Sequence, residues 1–400
     1  MNVIFLTVGR LRDIYASEIY SDLMRKFNNE GHNVYVVSPR ERCFGIETHV
    51  DVQENTRILG VKTPNIQKAN LIEKGISTLL LESLYKRAIK KYFKDVKFDL
   101  ILYSTPPITF PNLIKWLKKE NPNASTYLLL KDIFPQNAVD LGMFKKSSII
   151  YKYFRKKERT LYAISDWIGC MSSANVQYVL THNPEVNKDI VEVAPNSVDI
   201  ANMEEIMVDR AEIRKKYNLP LDKKIFIYGG NLGKPQGIPF LIEALDADKD
   251  REDCHFVVVG DGVKYSDLEN WMKEKNPKNV SLYKRLPIDE YDKLVCSCDV
   301  GLICLDYRFT IPNFPSRLLS YLKFKMPVLV ATDAVCDMGR IAAENCFGCW
   351  CPSNNIEAFK ETVDHMLQCD LKKMGHNAYQ YLLKNYLVEN TYKAIIKHNE

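Results

Sequence analysis

Two doubly wound α/β domains in tandem are the fold this sequence predicts, and three observations predict it. At 400 residues the chain exceeds one comfortable core, at roughly 150 residues per domain. Short β-rich runs alternate with helix-length segments along both halves, the pattern of parallel sheets covered by helices on both faces. That alternation breaks once, in a polar, charged stretch from Asn196 to Leu219, and resumes at Lys224.

The first series opens with a strand at Val3–Leu6, a helix from Ser17 to Glu30 and a strand at Val34–Ser38. Further strands are expected at Leu100–Tyr103, Thr126–Leu130, Trp167–Met171 and Ile190–Val193, with helices such as Leu71–Tyr92 and Ile149–Leu161 between them. The second series has strands at Ile225–Tyr228, His255–Val259, Val280–Tyr283, Val300–Cys304 and Val328–Val330. The expected divisions are 1–203, 204–382 and a final helix in 383–400. In sheets of this kind ligands bind beyond the carboxyl ends of the strands, so a cleft between the domains is the expected site.

Composition narrows the class. Hydrophobic residues at 46% and charged residues at 26% are ordinary for a globular chain and exclude disorder. No apolar run reaches the roughly 18 residues of a membrane span; Ile76–Leu84 is short and carries Glu82. Met1–Val8 lacks a basic leader region and reads as a first strand, so a cytoplasmic chain is expected. Eleven scattered cysteines read as reduced thiols. Residues 1–200 hold 28 Lys and Arg against 21 Asp and Glu, whereas the remainder is slightly acidic. A basic first half points to an anionic partner, either a membrane surface or a phosphorylated acceptor. Basic and aromatic residues interleave at Tyr85–Lys94 and Tyr151–Lys157, as they do in helices that rest on anionic lipid or simply face solvent.

Four short segments could carry chemistry. Tyr228 to Gly237 leaves a strand and holds Gly229, Gly230, Gly233 and Gly237 before a helix. Such a turn either needs unusual backbone angles or brings amides to a diphosphate, and Lys234 favours the second. Gly260-Asp261-Gly262 is a weaker signal. Pro315-Ser316-Arg317 begins a helix, where the dipole disfavours a cation unless an anion also docks; Arg317 is either such an anion's partner or an ordinary surface arginine. Asp132 follows a strand directly and could orient a hydroxyl or cap the next turn. Asp246 with Asp248, and Cys336 with Cys346, Cys349 and Cys351, have metal-like spacing but sit in a charged run and a packed aromatic segment; no metal is expected from either. His32 reads as a helix-end residue.

Together these motifs resemble glycosyltransferase family 4 of the GT-B fold, in its fucosaminyltransferase-like branch from bacterial surface-polysaccharide synthesis. The resemblance covers nearly the whole chain. It rests on Ser104-Thr105-Pro106-Pro107, Lys131–Gln136 with Ala138–Gly142, and Pro195–Asp199. It also rests on Gly230-Asn231-Leu232-Gly233 with Gln236-Gly237, Val259–Gly262, and Pro315–Leu322 ahead of Met326-Pro327-Val328.

The resemblance implies an acceptor-binding first domain, a donor-binding second domain, and a last helix, about Leu383–His398, that returns to the first. It implies retention of anomeric configuration, no cofactor, no bound metal and no nucleic-acid partner. The implied donor is a nucleotide-diphosphate sugar, UDP-linked, and the implied acceptor a polyprenyl-diphosphate-linked sugar at the inner face of a bacterial cell membrane. Asp132, Lys234 and Arg317 become the expected catalytic groups. Expected donor contacts are Gly230, Asn231, Gly233, Gln236, Gly237, Gly260, Gly262, Arg285, Leu286, Pro315, Ser316 and Ser320. Gly9, Arg10, Ser104 and Asn196 fall on the acceptor side. Asn231 and Gln236 stand where many members carry Arg and Lys, and Ser320 stands where a Glu usually grips the ribose. A sugar-nucleotide epimerase of the same fold, or an inert partner of another transferase, are the alternative readings.

Overall fold

The computed structural model describes residues 1–16, 20–66, 71–200 and 208–399. They form two compact units, Met1–Asp199 with Leu387–Glu400, and Ile200–Tyr386. The expected boundary at 203/204 lies outside the described residues.

The first unit runs β1 (Asn2–Leu6), α1 (Ser21–Asn29), β2 (Asn33–Glu41), β3 (His49–Gln53), β4 (Thr56–Thr63), α2 (Leu71–Tyr92), β5 (Leu100–Ser104) and α3 (Pro111–Glu120). It continues through β6 (Ser125–Leu130), α4 (Gln136–Asp140), α5 (Ile149–Ala163), β7 (Trp167–Cys170), α6 (Ser173–His182) and β8 (Val191–Val193). Its eight strands lie in the order β3-β4-β2-β1-β5-β6-β7-β8. Alternate residues feed opposite faces: Ile4, Leu6, Ile101 and Tyr103 pack under α2 and α3, whereas Val3, Phe5, Leu100 and Leu102 face α1. Burial on both faces is why the central strands read as continuous apolar runs.

One correction concerns the sheet edge. Residues 49–63 form a hairpin that puts β3 antiparallel to β4, in a sheet expected to be parallel throughout. Val52 is 65% exposed there, so the edge strand lacks the apolar continuity by which the inner strands are recognised. A second correction concerns α1, which begins at Ser21; Ser17–Ile19 lie outside the described residues.

The second unit contains α7 (Arg210–Lys216), β9 (Lys224–Asn231), α8 (Ile238–Ala247), β10 (Cys254–Asp261), α9 (Tyr265–Lys275), β11 (Val280–Lys284) and α10 (Ile288–Ser297). It ends with β12 (Val300–Cys304), α11 (Arg317–Lys323), β13 (Val328–Thr332), α12 (Met338–Glu344), β14 (Gly348–Pro352), α13 (Ile356–Gln368) and α14 (Leu371–Asn385). Its six strands are all parallel, in the order β11-β10-β9-β12-β13-β14. The strand order reverses beside β9 here and beside β1 in the first sheet, the position at which open α/β sheets generally bind ligands.

The terminal segment is also corrected. Residues 383–385 finish α14 in the second unit, and a separate helix, α15 (Val388–Ile396), belongs to the first. There Tyr392, Ile395 and Ile396 join the core beside α1, and Glu389 pairs with Lys26 at 2.5 Å.

Candidate functional site

In the second unit the glycines gather where β9 and β10 end. Gly230 and Gly260 are paired across the two strands, and a Cβ on Gly260 would lie 2.0 Å from the Gly230 carbonyl oxygen. Gly230 itself has φ +124°, a conformation that other residues rarely adopt. Beyond the strands the Leu232 amide donates to Asp261 O at 2.9 Å, and the Lys264 amide donates to Leu232 O at 2.9 Å, closing the turn over Gly262. Asn231 and Gln236 converge on Gly233, whose added Cβ would lie 2.9 Å from Asn231 Nδ2 and 3.0 Å from Gln236 Oε1. The Gln236 Oε1 atom is buried and accepts no hydrogen bond among the described residues. Gly237 caps α8, and the Asp306 amide, donating to Pro235 O at 3.0 Å, ties this turn to the end of β12. Lys234 is exposed at the rim.

Arg317 is the first residue of α11, preceded by Pro315 and by Ser316 at the N-cap. Its guanidinium carbon lies 4.3 Å from the centre of the Tyr228 ring, and Nη2 lies 3.5 Å from where a Gly230 Cβ would be. Nη1 is buried and has no hydrogen-bond partner among the described residues. Among the described residues no carboxylate pairs with it. Leaving a buried N–H unsatisfied costs about 1–3 kcal/mol, which a fold retains where a ligand supplies the missing acceptor.

Tyrosines hold this arginine in place. Tyr321 Oη donates to Ile227 O at 2.9 Å and accepts from the Gly229 amide at 3.2 Å, fixing α11 beneath β9. Its ring fits because residue 301 is glycine, where a Cβ would lie 2.4 Å from it. The Tyr291 hydroxyl occupies the space of a Gly229 side chain in the same way. Burial pushes the Tyr321 phenol up to about 12 and raises those of Tyr228 and Tyr291, so none offers Arg317 a counter-charge at neutral pH. The remaining residues expected to contact a donor are more scattered. Ser320 is half-buried in α11, whereas exposed Arg285 and half-buried Leu286 follow the edge strand β11, two strands from β9. The sequence reading missed Tyr228 and Tyr291, because a tyrosine supporting an arginine from a distant element has no local signature.

In the first unit Thr7 is a junction that sequence reading also missed. Thr7 Oγ1 accepts from the Gly9 amide at 2.9 Å and from Ser104 Oγ at 3.2 Å, joining the carboxyl ends of β1 and β5. Arg10 pairs with buried Glu41 at 3.2 Å and lies over the Phe44 ring, so its charge is already engaged. Thr105 Oγ1 accepts from the amides of Lys131 and Asp132 at 3.0 and 3.3 Å. Both Asp132 carboxylate oxygens accept from Asn137 Nδ2, at 2.8 and 2.9 Å, which fixes the carboxylate after β6. Lys131 Nζ donates to Ala194 O at 2.6 Å, next to the turn that carries Asn196. Burial lowers Lys131 to about 7 and raises the nearby Cys170 thiol to about 12. The Asn196 Oδ1 atom is buried with no partner among the described residues.

The metal-like spacings are otherwise occupied. Asp246 accepts from Trp271 Nε1 at 3.1 Å, and Asp248 is buried beside Arg251. Cys346 and Cys349 line a surface groove with His365, whereas Cys336 and Cys351 are buried. Among the described residues no three His, Cys, Asp or Glu side chains are grouped as metal ligands.

Residues 209–381 match the family of glycosyl transferases group 1. A relative named "Probable glycosyltransferase WbjE", from Pseudomonas aeruginosa, is 26% identical over 340 residues, covering 81% of this chain and 80% of that protein. "Putative colanic acid biosynthesis glycosyl transferase WcaI" of Escherichia coli is 28% identical over 151 residues, 37% of this chain and 36% of that one. Among solved structures, Anabaena Alr3699/HepE in complex with UDP and glucose aligns over 100% of this chain and 99% of its own, with a TM-score of 0.71 at 12% identity. The glycine turn and Arg317 thus lie within the segment that matches the group 1 glycosyl transferases, and the chain is a transferase with the GT-B fold.

Proposed function

We propose that this glycosyltransferase takes a sugar from a UDP-sugar and transfers it, with retention and without a bound metal, to a polyprenyl-diphosphate-linked saccharide in bacterial surface-polysaccharide synthesis. The observation that carries the donor half is Arg317 Nη1, a buried cationic nitrogen with no partner among the described residues, beside the turn at Gly230. A diphosphate supplies both the charge and the acceptor atoms that this group lacks. The complex of the HepE structure with UDP and glucose supports the nucleotide, and the name of WcaI, which specifies colanic acid, supports the polysaccharide setting.

In this reading the bond from the sugar's anomeric carbon to the diphosphate breaks as the bond to the acceptor oxygen forms. The acceptor proton passes to the departing diphosphate. Arg317 and Lys234 meet the charge that develops there, and the turn's amides add dipoles already oriented for it. Asp132, held by Asn137, orients an acceptor hydroxyl. The resemblance to family 4 and its fucosaminyltransferase-like branch supports retention and a lipid-linked acceptor at the inner membrane face. The basic segments of α2 and α5 support peripheral attachment: Arg87, Lys91 and Lys94 are exposed, and Lys86 and Lys90 lie over the Trp116 ring. Among the described residues no helix is long and apolar enough to cross a membrane.

Calorimetric titration with UDP tests the donor half. Binding that weakens at least tenfold in Gln236→Ala and in Arg317→Ala is expected, and a chain that binds no nucleoside diphosphate refutes the proposal. Incubation with UDP-sugar alone separates the alternatives, because an epimerase isomerises the donor without an acceptor.

A further inference from the structure

A groove of about 530 Å³ runs along the outer side of α5, in the size range of small-molecule sites. Lys115 of α3 and Lys152, Arg155, Lys156 and Arg159 of α5 line it, against the single carboxylate of Glu185. Two of these cations are already used. Arg155 bonds to Glu158 and, through Nη2, to Asn183 Oδ1 at 2.7 Å, while Arg159 pairs with Glu185 at 2.7 Å. Lys115, Lys152 and Lys156 have no ion pair or hydrogen bond from their amines among the described residues, so three positive charges face one concavity unneutralised.

The amino-terminal turn of the same helix has the opposite character. Ile149 is 85% exposed, Ile150 53% and Tyr153 42%, which is uncommon for consecutive large apolar side chains on a soluble surface. The topology fixes which way this turn points. Because α5 leads into the amino end of parallel strand β7, its own amino end lies on the side of the strands' carboxyl ends. That is the side of Gly9, Ser104, Asp132 and Asn196. Phe154 also packs on Phe134 at 4.9 Å, two residues beyond Asp132, so α5 is joined directly to that loop.

The geometry points to α5 as a lipid-docking helix whose groove takes the phosphate of an anionic phospholipid while Ile149, Ile150 and Tyr153 enter the acyl region. An apolar turn beside a cationic concavity matches the layering of a bilayer leaflet, whereas a soluble phosphate has no use for the apolar turn. The inference rests on the proposed peripheral attachment and adds to it a specific site and an inserted segment. Docking in this way presents the acceptor-side residues to the lipid surface.

The test is co-sedimentation of the full chain with vesicles of phosphatidylcholine, with and without phosphatidylglycerol. The variants are Lys115→Gln/Lys152→Gln/Lys156→Gln, the same positions changed to Arg, and Ile149→Ser/Ile150→Ser. Loss of three surface charges should weaken binding to the anionic vesicles by about tenfold or more. The Arg variant should retain binding. The Ser variant should lose the part of binding that persists in high salt, because insertion is not screened. Unchanged melting curves exclude misfolding as the cause. If the wild type pellets and the Gln variant pellets equally, the groove assignment is overturned while peripheral attachment stands. If the wild type pellets with neither vesicle, peripheral attachment fails as well. Abolition of vesicle binding by millimolar inorganic phosphate at constant ionic strength would make the groove a soluble-anion site and overturn the lipid assignment.

Discussion

Replacing Arg317 by Ala should separate activity from stability. The guanidinium lies over Tyr228, and its Nη1 atom is buried without a partner among the described residues. Losing the stacking on Tyr228 costs about 0.5–2 kcal/mol. Removing an unsatisfied buried N–H returns about 1–3 kcal/mol. The net runs from a loss of about 1 to a gain of about 2.5 kcal/mol, so the variant should lose no more than about 1 kcal/mol of unfolding free energy. Catalysis has no such compensation: removing one preorganised donor to the developing charge typically costs about 2.7–4 kcal/mol, or roughly 10²–10³ in kcat. Arg317→Lys keeps the charge but loses the planar fork over the ring, and should fall between the two. The measurements are steady-state turnover of a UDP-sugar with acceptor, and urea unfolding of the same preparations. Wild-type turnover in the Ala variant would refute the role given to Arg317. A stability loss above about 3 kcal/mol accompanying the activity loss would show that the residue is structural, because no such cost follows from its contacts.

Lys131 makes stability depend on pH. Its folded pKa of about 7 is below the free value, so between about pH 7 and 10 the unfolded chain binds more protons than the folded one. Stability should therefore rise with pH across that window, by up to ~1.4 kcal/mol per unit from this group, and Lys131→Met should flatten the rise; urea midpoints at three pH values check it, and an identical slope in the variant refutes it. Activity should persist in excess EDTA, since Arg317, Lys234 and backbone dipoles are assigned the leaving-group charge; loss restored by magnesium or manganese would contradict this. Changing Lys86, Arg87, Lys90, Lys91 and Lys94 to Gln should reduce binding to anionic vesicles in a salt-dependent way, at about 1 kcal/mol for each residue free to reach the surface. Lys86 and Lys90 lie over Trp116 and Lys91 over Tyr92, so the effect should come mainly from Arg87 and Lys94; equal pelleting of variant and wild type refutes it.

The central strands were legible because burial on both faces favours unbroken apolar runs, as in Leu100–Tyr103 and Val300–Cys304. The helices between them were legible from their period, and the carboxyl end of Leu71–Tyr92 was placed where it is observed. The edge hairpin at residues 49–63 was not, since an edge strand with a solvated face carries little of that signal. Nor was the division of the last segment between α14 and α15, because either helix alone has an ordinary amphipathic pattern.

For the candidate site, the sequence by itself marked two glycine turns after strands and a carboxylate, Asp132, at a strand's end. That Gly230 and Gly260 meet backbone to backbone, where a side chain would block the contact, came from the structure. Only the tertiary structure decided the electrostatic state of the neighbouring groups. It left Arg317 without a counter-ion among the described residues and engaged Arg10 with Glu41, although both read simply as arginines near a predicted ligand. It also lowered Lys131 towards neutrality. The physical reason is that steric requirements are written locally, in the absence of a Cβ. Charge pairing and desolvation depend on atoms brought together from distant elements, as Tyr228, Tyr291 and Tyr321 are around one guanidinium.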